Sequence, residues 1–113
     1  MSLRETILKA VDLPTVPVQV PEWNCTVYVR SFTARERDAW EASTFVDGKV
    51  NYDNLRARLV VLATVDENGK RIFKDEDAEA LGQKSAKVVD RIAEQINKLN
   101  ALSAKDIEEL SKN

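Results

Sequence analysis

Residues 16–36 read VPVQVPEWNCTVYVRSFTARE, a two-residue alternation that breaks off into a helix start. Val16, Val18 and Val20 alternate with Pro17, Gln19 and Pro21, and successive side chains of an extended chain point to opposite faces. Pro17 and Pro21 have no N–H to give to a ladder, so this segment is an edge strand or only an extended arm. Trp23–Phe32 makes the better strand. Trp23, Cys25, Val27 and Val29 share one face, and Asn24, Thr26, Tyr28 and Arg30 share the other. A turn around Pro21–Asn24 joins the two as a hairpin. Thr33 and Glu36 then have capping-box spacing: the hydroxyl accepts a bond from a backbone N–H, and the carboxylate reaches back to another. A helix from Ala34 to about Phe45 follows, with Ala39, Trp40, Ala42 and Phe45 as its apolar residues.

Upstream, Ser2 and Glu5 repeat the capping spacing. They predict a short helix from Leu3 to Val11, with Leu3, Ile7 and Ala10 on one side, stopped by Pro14. Downstream, Asp47-Gly48 ends the Ala34 helix, and Asn51 or Asp53 caps the next. That helix carries Leu55 and the run Leu59–Ala63. The run is apolar almost all round, which places it at the centre of the core. Asn68-Gly69 is a hairpin turn signal that joins Val65–Glu67 to Arg71–Phe73, unless a longer loop takes its place.

Phe73–Ala86, FKDEDAEALGQKSA, crowds Asp75, Glu76, Asp77 and Glu79 together. A calcium loop starting at Asp66 fails because its fifth and sixth positions are Lys70 and Arg71. One starting at Asp75 fails because Ala80 stands where glycine is needed. A catalytic carboxylate pair faces across a cleft, not along one turn. The preferred reading is a helix start: Asp75 caps, and Glu76 and Asp77 meet the positive end of the helix dipole. Gly82 then ends that helix and Ser85 caps another. Ala78, Leu81, Ser85, Val88, Ile92, Ile96 and Leu99 step by three or four without a break, so one long helix would also carry the seam. Two helices, Glu76–Leu81 and Ala86–Ala101, are favoured because a mid-helix glycine costs about 1 kcal/mol. On the second, Lys87, Asp90, Arg91, Glu94, Gln95 and Lys98 form the wet side. Ser103–Asp106 opens a last helix with Ile107 and Leu110 apolar.

Composition narrows the function. Net charge is −2, with both signs interspersed, so no basic field exists to hold nucleic acid. There is no histidine, which removes the common nucleophile–histidine catalysis and makes a zinc site improbable. The single Cys25 cannot form an internal disulfide, which fits a reducing compartment. No apolar run nears the roughly 20 residues that cross a bilayer. The expectation is an intracellular, non-membrane α+β protein. It is mainly helical, with an N-terminal β-hairpin and four to six helices. A single domain spans 1–113, with the N-terminal helix and hairpin in 1–32 and the helical part in 33–113. No catalytic, cofactor-binding or metal-ligating residue is nominated.

Three segments together resemble the tail assembly chaperones of long-tailed bacteriophages: VPVQVPEWNCTVYVRSFTARERDAWE, NLRARLVVLATVDENGKRIFKDEDAEALGQKSAKVVDRI and INKLNALSAKDIEELSKN. The likeness covers nearly the whole chain and lies in strand, turn and cap patterns. The resemblance implies a non-enzymatic protein of the bacterial host cytoplasm that binds the tape measure protein, a long helical chain that sets tail length. Such a protein holds its cargo in solution until tail tube subunits polymerise. The resemblance also implies self-association along the cargo and, through a longer frameshifted product, a link to the tail tube protein. A chain ending at Asn113 would suit the shorter product. The competing expectation is a structural tail or neck component retained in the virion.

The residues nominated for protein binding are Val88, Ile92, Ile96 and Leu99, with Ile107 and Leu110. Core packing is the alternative for the first four, and the more favoured one. The Val16–Val20 edge is a further candidate, although its prolines also guard against pairing. Trp23 and Trp40 are read as core, and Cys25 as a buried, inert thiol.

Overall fold

A computed structural model describes residues 1–101; the segment from Ser103 with Ile107 and Leu110 lies outside the described residues. The hairpin forms as the alternation predicts. Strand β1 (Thr15–Val20) pairs antiparallel with β2 (Cys25–Arg30), Val18 opposite Val27 and Pro17 opposite Tyr28. A single 3-10 turn at Pro21–Trp23, closed by Asn24 in the left-handed region (φ 53°), connects them. A third, two-residue strand, β5 (Thr64–Val65), pairs with the other side of β2, giving the order β1-β2-β5 with β1 at the edge.

Five helices accompany the sheet among the described residues, which makes the fold α+β. They are α1 (Leu3–Lys9), α2 (Ala34–Thr44), α3 (Leu55–Ala63), α4 (Ala78–Leu81) and α5 (Ala86–Leu99). The Thr33–Glu36 capping box is complete: the hydroxyl accepts from the Glu36 N–H at 3.1 Å, and the carboxylate accepts from the Thr33 N–H at 2.9 Å. The Phe73–Ala86 stretch is two helices, as the glycine argued. The first is shorter than expected, because a 3-10 turn at Asp75–Asp77 leads into α4. Gly82 is not in the left-handed region. A Cβ there would stand 2.5 Å from the end of the exposed Asn54 side chain, which would have to swing aside, and 3.3 Å from the Ala78 carbonyl.

The core gathers round α3. Ala57, Leu59, Val60, Val61 and Ala63 are all buried, and α2, α4 and α5 each pack on the helix. The second α5 face lies on the sheet, where Val18, Val20, Val27 and Val29 point inward. Trp40, 1% exposed, sits between Phe32 and Phe45 with ring centroids at 6.3 and 5.9 Å.

Three arginines fasten the connections. Arg30 makes two bonds to the Glu36 carboxylate, at 2.8 and 2.7 Å, and one to the Gly69 carbonyl, at 3.1 Å. This joins β2, the start of α2 and the 66–70 turn. Arg58 donates to the Asp53 and Asn51 carbonyls and to the Ser43 and Thr44 hydroxyls. Burial pushes its guanidinium below the usual range, opposed by the charge of Asp53. Arg71 donates to the Val61 carbonyl, one of the carbonyls that the end of α3 leaves free, and pairs with Asp75 at 2.8 Å.

Several expectations need correction. Cys25 is exposed. It has the parity of Val27 and Val29 but lies at the turn end of β2, on a surface dent with Gln19, Pro21, Asn24 and Thr26. Helix α1 stops at Lys9, where Ala10 turns extended (ψ 137°), and α5 stops at Leu99. Asp47-Gly48 does more than end α2. Both residues have positive φ and form the tight turn of a small hairpin, β3 (Phe45–Val46) with β4 (Lys49–Val50). Asn54, in the left-handed region, precedes α3 without a side-chain cap bond, so neither Asn51 nor Asp53 caps it. Asp75 pairs with Arg71 instead of capping, and Asp77 accepts from the Lys74 N–H at 2.8 Å. Ser85 stands at the start of α5, but its hydroxyl makes no cap bond. After Asn68-Gly69 the return strand shrinks to one bridge, Val65 opposite Arg71.

Two outcomes test this packing. The Trp40 indole N–H has no hydrogen-bond partner among the described residues. Trp40→Phe should therefore cost much less than Trp40→Ala, which should cost about 3–5 kcal/mol in urea denaturation. The hairpin turn is tied to α5 by Arg91, which grips the Glu22 carboxylate at 2.8 and 2.5 Å. That hydrogen bond, before backbone and charge effects, lowers the Glu22 pKa from 4.5 to about 2 and raises that of Arg91. A lowered carboxylate pKa adds stability that is present above the unfolded value and lost as pH falls through the folded one. The stability gap between wild type and Glu22→Gln should be full above pH 4.5 and close towards pH 2. A gap that does not change with pH would refute the coupling.

Candidate protein-binding surfaces

Apolar side chains left uncovered by the fold are the features that can do work on another protein. The seam of α5 is not among them. Val88, Ile92 and Ile96 are 1%, 1% and 0% exposed, and Leu99 is half-buried against the same core. The structure brings the four together along one side of α5, as their spacing predicts, and that side faces α3 and the sheet. To meet a partner, α5 would have to lift away from both.

Helix α1 is the opposite case. Ser2 caps it, its hydroxyl accepting from the Glu5 N–H at 3.2 Å, and Lys9 sits in its last turn. Yet it buries nothing. Leu3, Ile7 and Leu8 are 75%, 62% and 67% exposed, and every residue from Met1 to Asp12 is open to solvent. At 100° per residue, Leu3, Ile7 and Leu8 fall within one broad side of the helix. The capping spacing showed the helix; nothing in the sequence showed that its apolar side lies off the core.

Two further features are open. One is a cleft of about 410 Å³ between α3, α4 and α5, lined on its apolar side by Tyr52, Leu55, Leu81, Ala86 and Val89. The other is the free edge of β1. The Ser31 N–H bonds to the Pro14 carbonyl, and ladder bonds alternate, so Thr15, Pro17 and Gln19 face outward. Pro17 removes the middle donor of that edge, which blunts it as a template for another strand.

Three carboxylates of the acidic run are engaged within the fold. Asp75 is engaged by Arg71, Asp77 by the Lys74 N–H and Glu79 by the Asn54 amide at 3.0 Å. Among the described residues no cluster of three His, Cys, Asp or Glu side chains could hold a metal ion. No helix among them is long and apolar enough to cross a membrane.

A family model described as phage tail assembly chaperone matches residues 2–113. Among solved structures, the bacteriophage HK97 tail assembly chaperone is similar in fold. Its TM-score is 0.59 at 18% identity, over 87% of this chain and 98% of that one. No curated protein sequence matches significantly.

Exposure makes a clear prediction about the two apolar helix faces. Ile7→Glu and Leu8→Glu should each change the unfolding free energy by less than about 0.5 kcal/mol, as solvated positions do. Ile92→Ala should cost about 2–5 kcal/mol. Chemical denaturation of the three variants checks both.

Proposed function

This chain belongs to the phage tail assembly chaperone family, a family of non-enzymatic assembly proteins, and from that membership we propose that it binds and solubilises the tape measure protein before the tail tube polymerises. A tape measure is a long helical chain, and its apolar stripes would aggregate if left bare. A chaperone for such a cargo needs uncovered apolar surface on a body that stays folded. The observation that carries the reading is that combination: a closed core round α3 beside an N-terminal helix whose apolar side is exposed.

Residues 1–113 act as a single domain. Work takes place in the cytoplasm of the bacterial host, with copies of the chain associating along the cargo. A longer frameshifted product would carry the link to the tail tube protein. Ile107 and Leu110 are proposed contacts on sequence spacing alone. Val88, Ile92, Ile96 and Leu99 would join them only if α5 opens.

Co-expression tests the proposal. The tape measure of the parent phage should be recovered in the soluble fraction, bound to this chain, and should precipitate without it. Purified virions should lack the chain. A tape measure equally soluble and unbound in its absence, or its retention in finished virions, would contradict the reading.

A further inference from the structure

We propose that Asn68 is a site of spontaneous covalent modification, at which the side-chain carboxamide is hydrolysed through the backbone and the 66–70 turn sets the rate. The inference concerns the chain's own chemistry and stands whether or not the cargo reading does. An asparagine carboxamide is lost when the backbone nitrogen of the next residue attacks its Cγ. The new N–C bond closes a five-membered succinimide, the Cγ–Nδ2 bond breaks, and the proton of the attacking amide leaves with the departing ammonia. Water then opens the ring at either carbonyl, giving aspartate or isoaspartate. One water is consumed and one ammonia released, with no oxidant or reductant. The step needs a carboxamide free to turn, a following residue with no side chain in the way, and a backbone nitrogen able to give up its proton.

Asn68 meets the first two needs. It is exposed, and among the described residues its carboxamide has no hydrogen-bond partner. Gly69 follows it, and nothing lies within 4 Å of the place a Cβ would take there. Asn24, Asn51, Asn54, Asn97 and Asn100 all precede residues that carry a Cβ. Asn51, Asn54 and Asn100 also spend their carboxamides on hydrogen bonds. Asn68 is thus the one described asparagine that combines a free carboxamide with an unobstructed successor.

The third need is where the fold intervenes. The Gly69 N–H donates to the Asp66 carbonyl at 3.0 Å, and the Asp66 carboxylate clamps the turn by accepting from the Asn68 and Lys70 N–H groups at 2.8 and 3.0 Å. While the turn is closed, the attacking nitrogen is engaged. Modification therefore proceeds through local opening of a short turn in which Glu67, Asn68 and Lys70 are all exposed. Its result reaches further than the turn. Either product adds a negative charge to a chain of net charge −2, and isoaspartate also inserts a methylene into the main chain just before Gly69. The Gly69 carbonyl is the one that Arg30 holds at 3.1 Å while it grips Glu36, so the inserted link shifts a fastening of β2 to the start of α2.

The test incubates the full chain in mildly alkaline buffer, digests samples with trypsin over time and separates the peptides by chromatography with mass spectrometry. The peptide 59–70 holds Asn68 as its one asparagine. In the folded wild type, Asn68 should be lost at least about tenfold faster than any of the other five described asparagines, with isoaspartate among the products. Asp66→Ala removes the clamp and should speed the loss at Asn68 about fivefold, the factor that the net worth of one hydrogen bond carries. In guanidinium chloride the two chains should react alike, and both faster than the folded wild type. Loss at Asn68 no faster than at the other asparagines would overturn the proposal. So would equal rates in the folded wild type and Asp66→Ala, or a difference between them that persists in denaturant. If Asp66→Ala does not fold, the wild type alone decides: equal rates folded and denatured would overturn the gating by the turn.

Discussion

Enclosing α3 is the constraint on which the rest of the structure depends. Leu59–Ala63 is apolar on nearly every side, and a helix of that kind has no face to offer water. It must be covered all round by short elements, since none of its neighbours is large. Helix α5 supplies the largest cover and does so twice over, with α3 on one side and the sheet on the other. Val88, Ile92 and Ile96 are the shared contact, which is why they are among the most deeply buried side chains of the chain.

The polar fastenings follow from the same need. Short elements meeting round a buried helix leave many connections, and each connection has carbonyls to satisfy. Arg58 answers four oxygens near the start of α3, all from neutral groups, and Arg71 answers a carbonyl at its end. A guanidinium suits this work because its donors form a rigid planar fork that lysine lacks. Asn100 plays a similar part at the end of α5, accepting from the Phe32 N–H at 2.8 Å and donating to the Ile96 carbonyl at 2.9 Å. These bonds hold the body closed, while α1 buries no residue of its own.

Local signals were legible in the sequence; relations between distant segments were less so. The Ser2 cap, the Thr33–Glu36 capping box, the hairpin, the split at Gly82 and the central place of Leu59–Ala63 all come from spacing over a few residues; the Glu5 half of the first box does not form, its carboxylate accepting from the Ser2 hydroxyl instead. Val65 was placed in a ribbon with Arg71–Phe73, but its pairing with β2 was missed, because two residues, Thr64 and Val65, carry no alternation that points to a distant strand. The β3–β4 hairpin was misread although Asp47-Gly48 is a strong turn signal, because strands of two residues leave the same dipeptide looking like a helix stop. Cys25 failed for a different reason: parity assigns a face, but only packing decides how far along a strand the cover extends. The candidate surface shows the same limit most sharply. Spacing finds the apolar sides of α1 and α5 equally well, and only the fold shows that one is sealed and the other bare.

The central claim is that the core and the partner surface are separate structures. Amide hydrogen exchange, read with and without the tape measure, tests it directly. The account predicts that α3, α5 and β2 are the most protected segments in both states, and that protection is gained at α1. Loss of protection along α5 on binding, with α1 unchanged, would mean that the seam opens to take the partner, and the account would be wrong.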